Sequence, residues 1–275
     1  MTETLRVTYP GTIPIRQPWV ALSQAAFNQM NPEDLNPSTL YIVGATRIYQ
    51  GPTNVFPPPF GGGLVNVTDA LIASNNPVIP IPSVTVGNLV VIMGNLQSTL
   101  TTAISDSAGQ VWQQIGSSVG TGNGSQISGA WYCEGSAAIT DVRISAVSSL
   151  ARAVRIMEFA GIAQTNALDV WDAIGTASGF TSFSATVTPN SHCVVVANLV
   201  RGQSMNIAVT ANPDSPWVSL PENRQPPPPD AVTNATLTAY REATPGAPVT
   251  ARWAFASTVA WHPYHIAAFR IADGA

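Results

Sequence analysis

The chain has no lysine: its eleven basic residues are all arginine. Charged residues of both signs make up 9% of the 275 positions, against roughly 25% in ordinary soluble domains. With a formal net charge of −4, the sequence has no basic footprint for nucleic acid, which normally marks a binder as a stripe of Lys and Arg. Long hydrophobic runs are also missing. "LVVIM" at 89–93 and "CVVVA" at 193–197 fall far short of the roughly 20 residues that cross a bilayer. The opening "MTETLRV" has an acidic third residue and no apolar h-region, so no secretory signal peptide and no membrane insertion are expected. Cysteine is scarce. Cys133 and Cys193 lie in apolar runs without a C-x-x-C or Cys/His spacing, and read as small buried hydrophobes rather than a disulfide or a zinc site.

Proline, in contrast, punctuates the chain. Twelve of 23 prolines fall in the first 82 residues and four form "PPPP" at 226–229. Residues 1–63 read as an extended N-terminal arm. Within it, "PWVALSQAAFNQM" predicts a short helix over 18–30, with Pro at its start and apolar residues at 19, 22, 26 and 30. "LYIVGATRIY" predicts a strand or hairpin over 40–49, and "GPTNVFPPPFGGG" a linker. Such pieces hold no core alone, yet they are too apolar for a disordered tail. Trp19, Leu22, Phe27, Tyr41, Tyr49, Phe56 and Phe60 are therefore candidate contacts with another subunit.

From residue 64 to 275 the sequence repeats itself. A slide of 103 positions lays "VTDAL" (67–71) on "VWDAI" (170–174) and "VTVGNLVVIMGNL" (84–96) on "VTPNSHCVVVANL" (187–199), with eight identities in 30 positions where chance gives about two. The slide sets Asp69 on Asp172; as the offset grows, Tyr132 falls on Tyr240, Arg155 on His265 and Phe159 on Phe269. Repeats over 65–161 and 168–271 follow. Each carries short β-rich runs ("QVWQQIG", "ISGAWYCE", "DVRISAVS", "ARAVRIMEFA") separated by turns such as "DSAG". The expected fold is all-β: a jelly-roll-like antiparallel β-sandwich in which each repeat supplies strands to both sheets. Two tandem domains are the competing arrangement, and the short junction at 161–168 favours one.

Candidate chemistry is thin. His262 and His265 sit in "AWHPYHIAAFR". Residues three apart on a strand point to opposite faces, and His192 lies in another run, so no metal site is expected. Asp69 and Asp172 suit turns or caps; Glu134 and Glu158 are isolated, without the paired geometry of a glycosidase. "GTGNGS" at 120–125 lacks the lysine and helix of a phosphate loop. No catalytic residue, cofactor or metal ligand is expected. The seven tryptophans read as core residues, with sugar stacking as the alternative role.

"VGNLVVIMGN", "ISDSAGQVWQQI", "AWYCEG" and "AVRIMEFAGI" resemble the repeated β-sandwich module of tailed-bacteriophage structural proteins. Its marks are a G-(D/N)-L-(V/L)-V strand, a (T/S)-D-S-A-G-N-x-(Y/W) hairpin, a W-Y strand and a closing E-(Y/F)-(S/A)-G strand; Asn88 stands where Asp is usual. With the lysine-free composition and proline-rich arm, the chain is similar to minor tail proteins of phages that infect actinobacteria. The resemblance implies a virion component without catalytic residues, made in the host cytoplasm. It would be held at the tail tip or fibre by its arm, beside other tail proteins and copies of itself. A module binding host cell-wall carbohydrate and a capsid decoration protein are the alternatives.

Overall fold

The structure is a computed structural model. It describes 3–7, 15–22, 40–43, 47–50 and 53–56, and then 63–272 except 73–75, 96–102, 121–126, 146–151, 176–179, 202–208, 212–216, 225–234 and 260–261. The chain divides into two compact units, Met1–Gly61 and Gly62–Ala275.

The first unit holds β1 (Glu3–Val7), β2 (Ile15–Leu22), β3 (Leu40–Val43), β4 (Arg47–Gln50) and β5 (Thr53–Phe56), in one sheet of that order. Two expectations change here. Residues 18–22, expected to open a helix over 18–30, belong to strand β2; 23–30 lie outside the described residues. Pro18 is tolerated in β2 because the parallel pairing with β3 starts only at Trp19, so its missing N–H costs at most one rung. The 40–49 stretch is the hairpin β3–β4, with Tyr41 opposite Tyr49, the second of the two forms expected. The presumed linker contributes β5, which pairs with β4.

The second unit contains both repeats. Repeat 1 is built from β6 (Leu64–Ile72), β7 (Val78–Pro80), β8 (Leu89–Asn95), β9 (Ala103–Asp106), β10 (Gln113–Gln114), β11 (Val119–Gly120), β12 (Ile127–Cys133), β13 (Asp141–Ser145) and β14 (Arg152–Phe159). Repeat 2 follows with β15 (Leu168–Ile174), β16 (Phe180–Val187), β17 (Cys193–Arg201), β18 (Val209–Ala211), β19 (Val218–Ser219), β20 (Asn223–Arg224), β21 (Ala235–Ala243), β22 (Val249–Val259) and β23 (Tyr264–Arg270). In repeat 1 the large sheet runs β10-β12-β8-β14-β6, with β11 also on β12, and the small one runs β7-β13-β9. In repeat 2 the large sheet runs β19-β21-β17-β23-β15, with β20 on β21, and the small one β16-β22-β18. Strand for strand, the two connectivities are the same, and all these pairs are antiparallel.

No sheet among the described residues mixes strands of the two repeats, so the single shared sandwich is replaced by four layers. Each large sheet is covered on one face by its own small sheet and on the other by the large sheet of the other repeat. Alternation along β8 demonstrates this: Val90 and Ile92 enter the outer core of repeat 1, while Leu89, Val91 and Met93 enter the core between repeats. In repeat 2, Val195 and Ala197 face outward to β16 and β22, and Val194 and Val196 inward. A strand with two dry faces must be apolar at successive positions, which accounts for the runs "LVVIM" and "CVVVA". The small sheets have one wet face and alternate, as in β13, where Val142 and Ile144 are buried and Arg143 and Ser145 exposed.

The shared core is reciprocal. Tyr132 meets Phe269 edge-on at 5.6 Å between ring centroids, and Tyr240 meets Phe159 edge-on at 6.0 Å. The two tyrosines stand at equivalent positions in their repeats, as do the two phenylalanines, so each half offers the other the same face, as in an isologous dimer. Strand pairing also corrects the ungapped slide. Phe159 pairs with Leu64 and Leu89, and Phe269 with Leu168 and Val194. Leu64 therefore corresponds to Leu168, one residue off the slide, and Leu89 to Val194, two residues off.

Because each phenylalanine closes an aromatic contact across the shared face, Phe269→Ala and Phe159→Ala should each cost about 3–5 kcal/mol. Chemical denaturation of the two variants should give similar losses; a loss confined to one would contradict the reciprocity.

Candidate functional site

The titratable residues singled out in the sequence lie at separate places, and each has a structural partner. The most buried charge is Arg155 on β14, 0% exposed. Its register partner across the strand pair is Asp69 on β6. The guanidinium grips that carboxylate at both ends, Nε to Oδ1 at 2.6 Å and Nη2 to Oδ2 at 2.8 Å, the fork geometry arginine favours. Nη2 also donates to the carbonyl of Pro221 in repeat 2 at 2.5 Å. Asn223 adds a second link between repeats, its Nδ2 donating to the Val154 carbonyl at 2.8 Å.

His265, which corresponds to Arg155, does the mirror-image job. Its Nε2 lies 3.2 Å from the carbonyl oxygen of Ser117 and its Nδ1 2.8 Å from Ser128 Oγ, both in repeat 1. A carbonyl only accepts, so Nε2 carries the proton and Nδ1 accepts from the serine hydroxyl. Ser117 lies two residues before β11 and Pro221 two before β20, so the contacted carbonyls are equivalent too. Burial pulls the imidazole down to about 4, leaving it neutral near pH 7.

The carboxylates match less well than the slide implied. Opposite His265 stands Ala173, the true counterpart of Asp69. Both repeats carry the same bulge, between Leu64 and Asn66 and between Leu168 and Val170, so Asp172 corresponds to Thr68 and lies on the other face, where its Oδ2 accepts from the Tyr264 hydroxyl at 2.8 Å. The remaining histidines are engaged elsewhere. His262 stacks on Phe255 at 5.0 Å, and His192 Nε2 lies 2.6 Å from Glu242 Oε1. Among the described residues no three His, Cys, Asp or Glu side chains gather as metal ligands.

The residues of the sequence motifs are used to fold repeat 1. Asp106 in "SDSAG" accepts from the backbone N–H groups of Ala108 and Gln110 through Oδ1, and from Trp112 Nε1 at 2.8 Å through Oδ2. This closes the turn and ties it to the Trp112 ring; the segment is not the hairpin that the motif implies, because β9 lies in the small sheet and β10 in the large one. Glu158, of the closing "EFAG", accepts from Asn66 Nδ2 (2.6 Å), Asn88 Nδ2 (2.6 Å) and the backbone N–H of Thr85 (2.8 Å). Burial alone would raise its pKa, but the hydrogen bonds outweigh burial and hold the carboxyl below its usual range. Asn88 provides an N–H that an aspartate would lack. Beside Glu158 is a recess of about 10 Å³, lined by Asn66, Thr68, Val84 and Ile156 among others, room for one water. Glu134 accepts from the Ala167 N–H at the junction between repeats.

Both cysteines are free and buried; burial pushes the Cys133 thiol up to about 11 and that of Cys193 to about 12. Of the tryptophans, Trp131, Trp217 and Trp253 are buried, Trp112 is half-buried on the outer core of repeat 1, and Trp171 is 43% exposed. The side chains of Trp19 and Trp261 lie outside the described set. Trp171 rests on Gly116, where a Cβ would fall 2.3 Å from the ring. Of the proposed arm contacts, Trp19 and Leu22 lie on β2, Tyr41 on β3, Tyr49 on β4 and Phe56 on β5; Phe27 and Phe60 are outside the described residues. Comparison with protein-family models, curated proteins and solved structures finds no match.

Two measurements test these assignments. Replacing Arg155 by Ala takes the donor from the Pro221 carbonyl, while the part-exposed Asp69 carboxylate turns to water, and should destabilise by about 1–3 kcal/mol. Glu158→Gln should cost about 1–3 kcal/mol at neutral pH. Since the native carboxyl titrates below its unfolded value, its contribution is complete above the ordinary glutamate range and fades as pH falls through the native pKa. Denaturant melts of wild type and Glu158→Gln should therefore converge in acid.

Proposed function

We propose that the chain is a structural component of a tailed-bacteriophage virion, a minor tail protein at the tail tip or fibre. The observation that carries this reading is the use made of the motif residues. Asp106, Trp112, Asn88 and Glu158, the residues by which the sequence resembles the phage module, hold turns and strands together. They are building parts, and the resemblance is to building proteins. Strand order supports the finer reading of each repeat as a jelly roll: β6-β14-β8-β12 against β7-β13-β9 is the order two nested Greek keys give, with β10 moved to the edge of the large sheet.

In this reading the protein is not an enzyme and takes no cofactor. The twin sandwich is the body, and residues 1–63 attach it to other tail proteins or to further copies, through Trp19, Leu22, Phe27, Tyr41, Tyr49, Phe56 and Phe60. A surface with few charges loses little on being covered by neighbours. Carbohydrate binding is less favoured, because a stacking platform needs neighbouring exposed rings and the described tryptophans offer Trp171 alone.

Deleting residues 1–60 should leave a soluble β-rich protein by circular dichroism that no longer enters particles; normal incorporation would overturn the attachment role. Tracing the chain in an image of the intact particle tests the tail position, and density on the capsid shell would turn the reading to a decoration protein.

A further inference from the structure

The reciprocal contacts between repeats differ in one respect that matters in acid. At one end Arg155 holds the Pro221 carbonyl, backed by Asp69, and Asn223 holds the Val154 carbonyl. At the other end His265 holds the Ser117 carbonyl, and its cross-strand neighbour is Ala173. Segment 115–120 of repeat 1 is otherwise seated on repeat 2 by close contact. Trp171 covers Gly116, and a Cβ on Gly175 would lie 2.1 Å from the Gly120 carbonyl oxygen.

We propose that His265 is an acid-sensitive clasp: when its imidazole takes up a second proton, segment 115–120 detaches from repeat 2 and its short pairing with β12 opens with it, while the equivalent segment 219–224 stays bound to repeat 1 and paired with β21. Protonation in place would put a cation at a fully buried position whose hydrogen-bond partners, Ser117 and Ser128, are neutral. Buried charge without a counter-ion is costly. Few groups offset it. Asp172 on β15 is the nearby carboxylate, and Tyr264 and the Ala173 N–H already occupy its oxygens. On β12 the titratable neighbours are Tyr132 and Cys133, both buried. On β17 the register partner is Asn198. Residues 115–118 and strand β16 carry no ionisable side chain, and Arg155 has the same sign as the imidazolium. Arginine keeps its charge across this pH range, so the opposite end is unaffected.

The sign follows from the proton count. The closed form titrates at about 4 and an opened, solvated imidazole at 6.5. Between those values the open form binds more protons, so falling pH favours opening. At pH 5 the opening equilibrium should have grown about 30-fold relative to pH 7.5.

Hydrogen exchange on the full chain reads this directly, with 219–224 as internal control. Expressed as protection factors, so that intrinsic exchange rates divide out, amides in 115–120 should lose about 30-fold between pH 7.5 and 5, and those in 219–224 should change little. In His265→Gln, whose amide can still donate to Ser117, the pH-dependent loss should disappear. Equal change in the two segments, no change in either, or a persistent acid response in His265→Gln would each overturn the clasp. Should that variant fail to fold, the wild-type comparison of the two segments decides the matter alone.

Discussion

Everything in the second unit depends on one requirement: each large sheet must be kept dry on both faces. A six-stranded sheet covered by three strands on one side leaves its other face uncovered. The second repeat meets that need with an identical one of its own. The shared core is thus no incidental contact between finished domains. Leu89, Val91, Met93, Met157 and Phe159 would lie on an open face of repeat 1 without Val194, Val196, Ala267 and Phe269 above them. Patches of that size are rare on soluble monomers.

The same requirement explains which parts of the fold were legible in the sequence. The repeat, the strand-rich pattern and the matched pairs Tyr132/Tyr240 and Phe159/Phe269 were readable, because aromatic anchors keep their spacing from the strand ends. The four-layer arrangement was written in the contrast between "LVVIM" and "DVRIS". A run with two dry faces and a run with one differ in period, but an unbroken apolar run marks a buried strand without saying what covers each of its faces. Registers within the repeat were not readable. The offset between β6 and β15 is one residue more than the ungapped slide, and a one-residue shift along a strand exchanges its faces, which is why Asp172 fell beside Asp69 in sequence yet lies on the other face. In the first unit, apolar spacing at 19 and 22 fits a helix as well as it fits β2, and propensity alone does not separate them.

Histidine and carboxylate positions drew attention as possible chemistry, and their partners tell a different story. Asp106 and Glu158 each collect several N–H donors, the pattern by which a buried carboxylate organises loop backbone. Nothing in the sequence marks Ser117, Ser128 or Pro221 as their repeat's contact points, because two of these partners act through backbone carbonyls that any residue provides. The alignment of Arg155 with His265 was the available signal, and its meaning emerges only once both are seen reaching across the same face in opposite directions.

Carrying both halves of a symmetric joint on one polypeptide has a genetic consequence. Where two identical chains meet, every substitution arrives twice, and a change tolerable on one side must also be tolerable on its mirror image. Here the sides are separate stretches of one gene, so an ion pair can be kept at one end and a neutral imidazole at the other. Gly175 shows how little room such a change has: a methyl group there would lie 2.1 Å from the Gly120 carbonyl oxygen of the other repeat. Duplication within the chain turns a joint that would have to vary in pairs into two that vary one at a time.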